Sequence, residues 1–204
     1  MKEKKDLKNY QLKITLSGSN PEIWRRFLAD SEVMLSELHY VIQIVMGWTN
    51  SHLHQYRQKN VIYGEPQDDL GWGFGSKIKI VDENNYKLNQ VLTKPKDKII
   101  YEYDFGDSWD HDLVLEKILK KDDKLKTPIC LDGAMACPPE DCGGIGGYYN
   151  MLETIKNPED PEYEDMIDWL GDKFDPEEFD LEAINNKLKR FKKKRGQIYL
   201  KEMV

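Results

Sequence analysis

The chain has 204 residues, 39% hydrophobic and 33% charged, with five Trp, eleven Tyr and six Phe, which is too aromatic for a disordered tail, too polar for a membrane protein and long enough to bury a core. Its net charge of −7, from 30 basic against 37 acidic residues, argues against a protein that coats nucleic acid with its whole surface. No run approaches the ~20 apolar residues of a bilayer span, the N-terminus lacks the apolar stretch of a signal peptide, and three cysteines fit a reducing compartment better than a disulfide framework, so the expected location is cytoplasmic with no membrane partner.

Residues 10–16 (YQLKITL) alternate, with Leu12, Ile14 and Leu16 on one face, and predict a half-buried strand ending at residues 17–20 (SGSN). Residues 21–27 form a second extended piece paired with the first. Leu35, Leu38, Val41, Ile42, Val45 and Met46 have the spacing of an amphipathic helix, and Gly47 stops it. Residues 52–58 (HLHQYRQ) predict a short strand, returning through 61–64 as a hairpin. Residues 65–76 (EPQDDLGWGFGS) read as a loop. Its alternating Gly71, Gly73 and Gly75 lack the Gly-Lys-Ser/Thr ending of a phosphate loop. One helical turn is expected at 87–92.

Residues 98–105 (KIIYEYDF) predict a strand with Tyr101, Tyr103 and Phe105 on one face. Gly106-Asp107-Ser108 turns the chain, and residues 109–118 run back with His111, Leu113 and Leu115 together, completing an antiparallel hairpin. Residues 127–147 are poor in periodicity and read as a functional loop. Helices are expected at 148–155, 162–170 and 181–191, with Pro161 and Pro176 as starts. From 157 to 180 there are eleven acidic residues against one Lys, whereas Lys187 to Arg195 (KLKRFKKKR) holds seven basic residues. The plain reading of that run is a solvated helix C-terminus complementing its dipole; the alternative is a contact with nucleic acid, for which aromatic interleaving is lacking.

Four pieces together carry a family resemblance. They are Leu38-His39 through Ile42-Gln43 to Met46-Gly47-Trp48; His52-Leu53-His54; Tyr101 to Trp109 with His111 and Leu115-Glu116; and Ala136 to Asp141 with Gly143-Gly144 and Gly147-Tyr148. In this order and spacing the chain resembles the plasmid pRiA4b ORF-3-like family, whose relatives include passenger proteins of insertion elements. The resemblance implies an α+β fold with an antiparallel sheet and no established activity. The packed helices and a helical annex over 157–204, acidic then basic, complete the expected single domain of 1–204. The sequence departs from the pattern in Cys142, directly after Glu140-Asp141, and in Met34, where a helix-capping hydroxyl is expected.

Alternation would point His52 and His54 to one side, as two ligands for one metal. Asp104 and Asp107 flank the hairpin turn and His111 lies just beyond it, so oxygen and nitrogen ligands converge if the turn approaches the histidines. The expected metal set is His52, His54, Asp104 and His111, with a divalent ion such as zinc. The ligand-binding set adds Asp107, Glu140 and Asp141. The plainer alternative pairs these histidines with carboxylates and lets the aspartates hold the turn. Cys130, Cys137 and Cys142 with one His would make a structural zinc site, but buried thiols are the default. Gly143 to Gly147 before a helix permit backbone amides to face an anion. His39 reads as a packed, hydrogen-bonded residue. No Gly-x-Ser-x-Gly motif supports nucleophilic catalysis. The leading expectation is a binding or accessory module associated with mobile DNA; the alternative is a divalent-metal-dependent hydrolase with Glu140 as base.

Overall fold

Alternation in the first strand decides which face of the sheet is buried. In β1 (Lys8–Leu16), Tyr10, Leu12, Ile14 and Leu16 are at most 4% exposed, and the central strands paired beside it place their buried set on the same side. This computed structural model describes residues 8–65, 78–120, 127–171 and 174–191, with the backbone of 193–194 and 197–198. The strands are β2 (Trp24–Asp30), β3 (His54–Gln58), β4 (Val61–Gly64), β5 (Lys79–Asp82), β6 (Lys98–Tyr103), β7 (Trp109–Lys120) and β8 (Ile129–Ala134). They form an eight-stranded sheet in the order β5-β4-β3-β6-β7-β1-β2-β8. Adjacent strands are antiparallel except β4 and β5.

The two faces are chemically opposite, as expected of an antiparallel sheet covered on one side. One carries the core: Leu12, Ile14, Phe27, Tyr56, Tyr101, Tyr103, Trp109, Leu113 and Leu115, all essentially inaccessible. The other carries a lattice of charges. Arg26 is bidentate to Glu116 at 2.7 and 3.0 Å, Gln11 donates to the same carboxylate, Arg57 bridges Glu102 and Asp110, and Lys98 pairs with Asp112. The core face is roofed by α1 (Leu35–Met46), whose Leu35, Leu38, Val41, Ile42 and Val45 are buried. Met34 offers α1 no side-chain cap; instead the Leu35 N–H donates to the Tyr86 carbonyl. At the other end Gly47 takes φ 117° and donates its N–H to Gln43 O, a stop that favours glycine.

Arg25 takes an unusual place, on the buried face of β2. The residue is 2% exposed, and its guanidinium donates to the carbonyls of Trp24, Val45, Ala134 and Met135 and lies over the Phe179 ring. Burial lowers its pKa. It therefore joins the end of α1 to β8 by meeting backbone groups that burial would otherwise leave unpaired.

The remaining helices are α2 (Leu88–Val91), α3 (Gly144–Thr154), α4 (Tyr163–Leu170) and α5 (Leu181–Arg190). α5 covers the β8 edge: Asn185 donates to Cys130 O and accepts from Cys130 N, behaving as one residue of an added strand. Several sequence expectations need revision. Part of the segment read as loop is β8, and β5 lies where no strand was predicted. α3 starts at Gly144, four residues early. Pro161 and Pro176 precede their helices rather than open them, and α5 is capped by Asp180, whose Oδ1 accepts from Ala183 N at 2.8 Å. Phe105 does not join Tyr101 and Tyr103 in the core; β6 ends at Tyr103 and Phe105 is 45% exposed. Residues 66–77, with Trp72 and the alternating glycines, lie outside the described residues. Among the described helices none is long and apolar enough to cross a membrane.

Candidate metal centre

The site is built on the loop leaving α1. Polar residues on the buried side of this helix hold that loop through a closed ring of hydrogen bonds. Gln43 Nε2 donates to Tyr101 OH, Tyr101 OH lies 2.8 Å from His39 Nδ1, His39 Nε2 faces Asn50 Oδ1, and Asn50 N donates to Gln43 Oε1. With neutral His39 protonated on Nε2, all four bonds run in one direction. Burial and the neighbouring His54 hold the His39 pKa well below its ordinary value, which keeps that form. The ring pins Asn50 at φ 59°, a left-handed conformation that Asn tolerates.

Tyr103, the next inward residue of β6, continues the scaffold. Its hydroxyl accepts from Ser51 N and His52 N and donates to Glu140 Oε1 at 3.0 Å. Burial, then the Glu140 charge, push its pKa up, so it remains a donor. Thr49 adds two bonds, from N and Oγ1, to the same Glu140 oxygen, both 2.8 Å. Glu140 is thus clamped through Oε1, and Oε2 faces His52.

Four side chains converge there. His52 Nε2 lies 3.1 Å from Asp141 Oδ1, 3.7 Å from Asp104 Oδ2 and 3.8 Å from Glu140 Oε2. None of these contacts has hydrogen-bond geometry: His52 Nε2 and Glu140 Oε2 are shielded from solvent and have no hydrogen-bond partner. Ligand atoms of His52, Asp104 and Asp141 all lie within 4.8 Å of one another. Asp104 is buried, and its Oδ1 accepts from Gly106 N at 2.9 Å, leaving Oδ2 toward His52. Asp104 and Asp141 both take positive φ, 57° and 58°, so backbone strain helps aim both carboxylates, with the Gly106 hydrogen bond added at Asp104. Asp141 is exposed on its outer side, 70% by side chain.

The structure thus gathers His52, Asp104, Glu140 and Asp141 and places the other sequence candidates elsewhere. His54 opens β3 whereas His52 precedes it, so alternation does not govern the pair. His54 stacks on His39 with centroids 3.5 Å apart and its Nε2 lies 3.1 Å from Glu83 Oε2. His111 is fully buried. Its Nδ1 faces the carbonyls of Trp109 and Tyr101 and its Nε2 accepts from Trp48 Nε1, so neither nitrogen is free to ligate. Desolvation lowers its pKa to about 4. Asp107 Oδ2 accepts from Gly143 N at 3.0 Å, tying the hairpin to the start of α3. The glycine-rich amides therefore meet an anion that is the protein's own. The glycines are needed for closeness: a Cβ on Gly144 would stand 2.6 Å from Asp107 O, and one on Gly147 1.9 Å from Cys142 O.

Among the described residues the thiols join no group of three or more metal-ligand side chains. Cys130 Sγ faces the carbonyls of Arg26 and Asp132, Cys137 packs against Gly47, and burial pushes Cys142 up to about 12. Sequence reasoning missed the supporting residues Thr49, Gln43 and Tyr103. Gln43 carried a signal, a polar residue beside the apolar stripe of α1; Thr49 carried none, since its partner is 91 residues away. The basic run begins in α5, with Lys187, Lys189 and Arg190 in the last turn, as a dipole-complementing terminus would have it; the side chains from 192 onward lie outside the described residues.

The family model described as plasmid pRiA4b ORF-3-like protein matches residues 8–183. The chain is 34% identical over 162 residues to the uncharacterized protein y4hQ of Sinorhizobium fredii, an alignment covering 79% of this chain and 80% of that one. The crystal structure of MM3350, a protein of unknown function from Methanosarcina mazei Go1, superposes with a TM-score of 0.76 at 38% identity, covering 86% of this chain and 96% of the other. All four motif pieces and every residue of the site fall inside the matched span, and the chain belongs to the plasmid pRiA4b ORF-3-like family.

Proposed function

We propose that the chain is a divalent-cation-binding module, with His52, Asp104, Glu140 and Asp141 as the ligands. The observation that carries this reading is the pair of shielded atoms without hydrogen bonds, His52 Nε2 and Glu140 Oε2, set among two further carboxylates. Buried polar groups are normally paired, and three carboxylates around one imidazole repel one another unless a cation sits among them. Tetrahedral bonds of about 2.0–2.2 Å require ligand atoms roughly 3–3.5 Å apart; His52 Nε2 and Asp141 Oδ1 are at that spacing, 3.1 Å, while Asp104 at 3.7 Å and Glu140 at 3.8 Å would draw in by a few tenths of an ångström on binding. One nitrogen with oxygens suits Zn²⁺ or Mn²⁺ better than Ca²⁺.

Glu140 acts as a ligand in this reading rather than as a base, because Oε1 is taken by three donors and Oε2 faces the cation position. A binding or accessory role within a family related to mobile DNA therefore accords with the site better than the hydrolase alternative. The test is isothermal titration and thermal melting of untagged protein with Zn²⁺, Mn²⁺, Mg²⁺ and Ca²⁺. One Zn²⁺ or Mn²⁺ should bind per chain and raise the melting temperature by mass action. His52→Ala and Asp104→Asn should weaken it by more than about tenfold, and His54→Ala should leave it unchanged. Failure to bind, or equal binding by Asp104→Asn, would refute the assignment.

A further inference from the structure

A cleft of about 490 Å³ opens beside Glu140, between the Pro138-Pro139 turn and the wall formed by Trp169, Leu170 and Phe174. Its walls are apolar and aromatic. Of its two polar contributors, Thr49 already spends its N–H and hydroxyl on Glu140. α4 contains no buried residue; Met166 and Leu170 rest on the core while Ile167 and Trp169 are exposed, Trp169 by 48%. A large half-exposed indole lining a concave site is an uncommon feature of a bare surface and marks contact with a ligand or partner.

The charge around the cleft selects the occupant. The segment 157–180, which supplies Trp169, Leu170 and Phe174, holds eleven acidic residues against Lys173 alone. Asp165 lies one helical turn before Trp169 and so shares its face. Asp168 and Asp175 adjoin Trp169 and Phe174 in the chain, and Glu140, followed in the chain by Asp141, borders the opposite wall. Among the described residues no lysine or arginine lines the cleft. A bound dication leaves three carboxylates with a net charge of −1, so the field keeps its sign whether or not the cation is present. Anionic groups are repelled there, and a neutral apolar group would desolvate carboxylates without pairing them. A guanidinium satisfies both features, since its flat faces stack on indole while its edge donates to carboxylates.

We infer that this cleft docks an arginine-bearing segment of a partner protein, with the guanidinium against Trp169 and its charge met by the acids of α4 and the Glu140 loop. The cleft shares Glu140 with the proposed cation site, and testing in chelator separates a failure of this inference from a failure of that reading. Fluorescein-labelled hexa-arginine, hexa-lysine and hexa-glutamate peptides are titrated with the full chain and followed by anisotropy at low and moderate salt. Hexa-arginine should bind most tightly and hexa-glutamate not at all. Trp169→Ala, which removes a half-exposed side chain from a helix without buried residues, should weaken hexa-arginine binding by about fivefold or more. Asp112→Asn, a charge lost from the opposite face of the sheet, should leave it unchanged. Equal affinity of Trp169→Ala and the unaltered chain, an equal loss in Asp112→Asn, or no binding of hexa-arginine would overturn the assignment.

Discussion

His111 should make the fold acid-labile in a defined window. The ring is fully buried and satisfied only when neutral: Nδ1–H donates to the Trp109 carbonyl at 2.9 Å while Nε2 accepts from Trp48. Its pKa falls from 6.5 to about 4 on folding. Between those values the unfolded chain binds the proton and the folded chain does not, so lowering the pH favours unfolding. The stabilisation is complete above about pH 6.5, declines as the pH falls toward 4 and levels off below. At about 1.4 kcal/mol per pH unit it amounts to about 3 kcal/mol. The perturbation is His111→Gln, whose amide can still face a strand carbonyl and Trp48 but does not titrate. Urea unfolding in chelator at intervals from pH 7 to pH 4 should show the unaltered protein losing about 3 kcal/mol more than the variant. His39, shifted in the same direction, and the carboxylates contribute to both proteins and cancel. Parallel pH profiles would refute the reasoning.

Leu38→Ala should cost about 2–5 kcal/mol in unfolding free energy, because Leu38 is fully buried between α1 and the sheet; an unchanged denaturation midpoint would place the helix outside the core. Asn185→Ala removes both bonds to the Cys130 backbone and should cost about 1–3 kcal/mol, with faster amide exchange at Cys130 as the local readout. Gly144→Ala puts a Cβ 2.6 Å from Asp107 O at φ 68° and should lower both stability, by about 1–3 kcal/mol, and cation affinity, since the hairpin carrying Asp104 must shift; titration of the variant checks it. Replacing Lys187, Lys189 and Arg190 together by Gln should leave DNA binding unchanged in an electrophoretic shift assay if these side chains only complement the α5 dipole. The substitutions leave Leu188, buried in the same turn, in place.

Much of the architecture is local and was legible. The two-residue alternation of residues 10–16 and 109–115 decides which side chains face inward in β1 and β7, and the spacing of Leu35 to Met46 with Gly47 behind it sets α1 and its end. β8 was not legible. As the edge strand with Gly133 beneath Phe179 and Arg25, it shows neither alternation nor strong β propensity, and what holds it is pairing to β2 on one side and Asn185 on the other. β5 likewise depends on β4, its parallel neighbour across an intervening segment.

The site divides along the same line. Residue chemistry alone marked His52, Asp104, Glu140 and Asp141, since imidazole and carboxylate side chains are the ligands available in these motifs. Which of the marked residues meet was decided in three dimensions. His52 and His54 part company because the strand begins between them, and His111, on the inward face of β7, is taken by Trp48, 63 residues away in the chain. Asp107 is claimed by the Gly143 amide, and Glu140 is turned toward His52 by Thr49 and Tyr103, 91 and 37 residues distant. Periodicity acts over a few residues and fixes direction within one element. Convergence needs elements far apart in the chain to be packed together, and only the tertiary fold sets those distances.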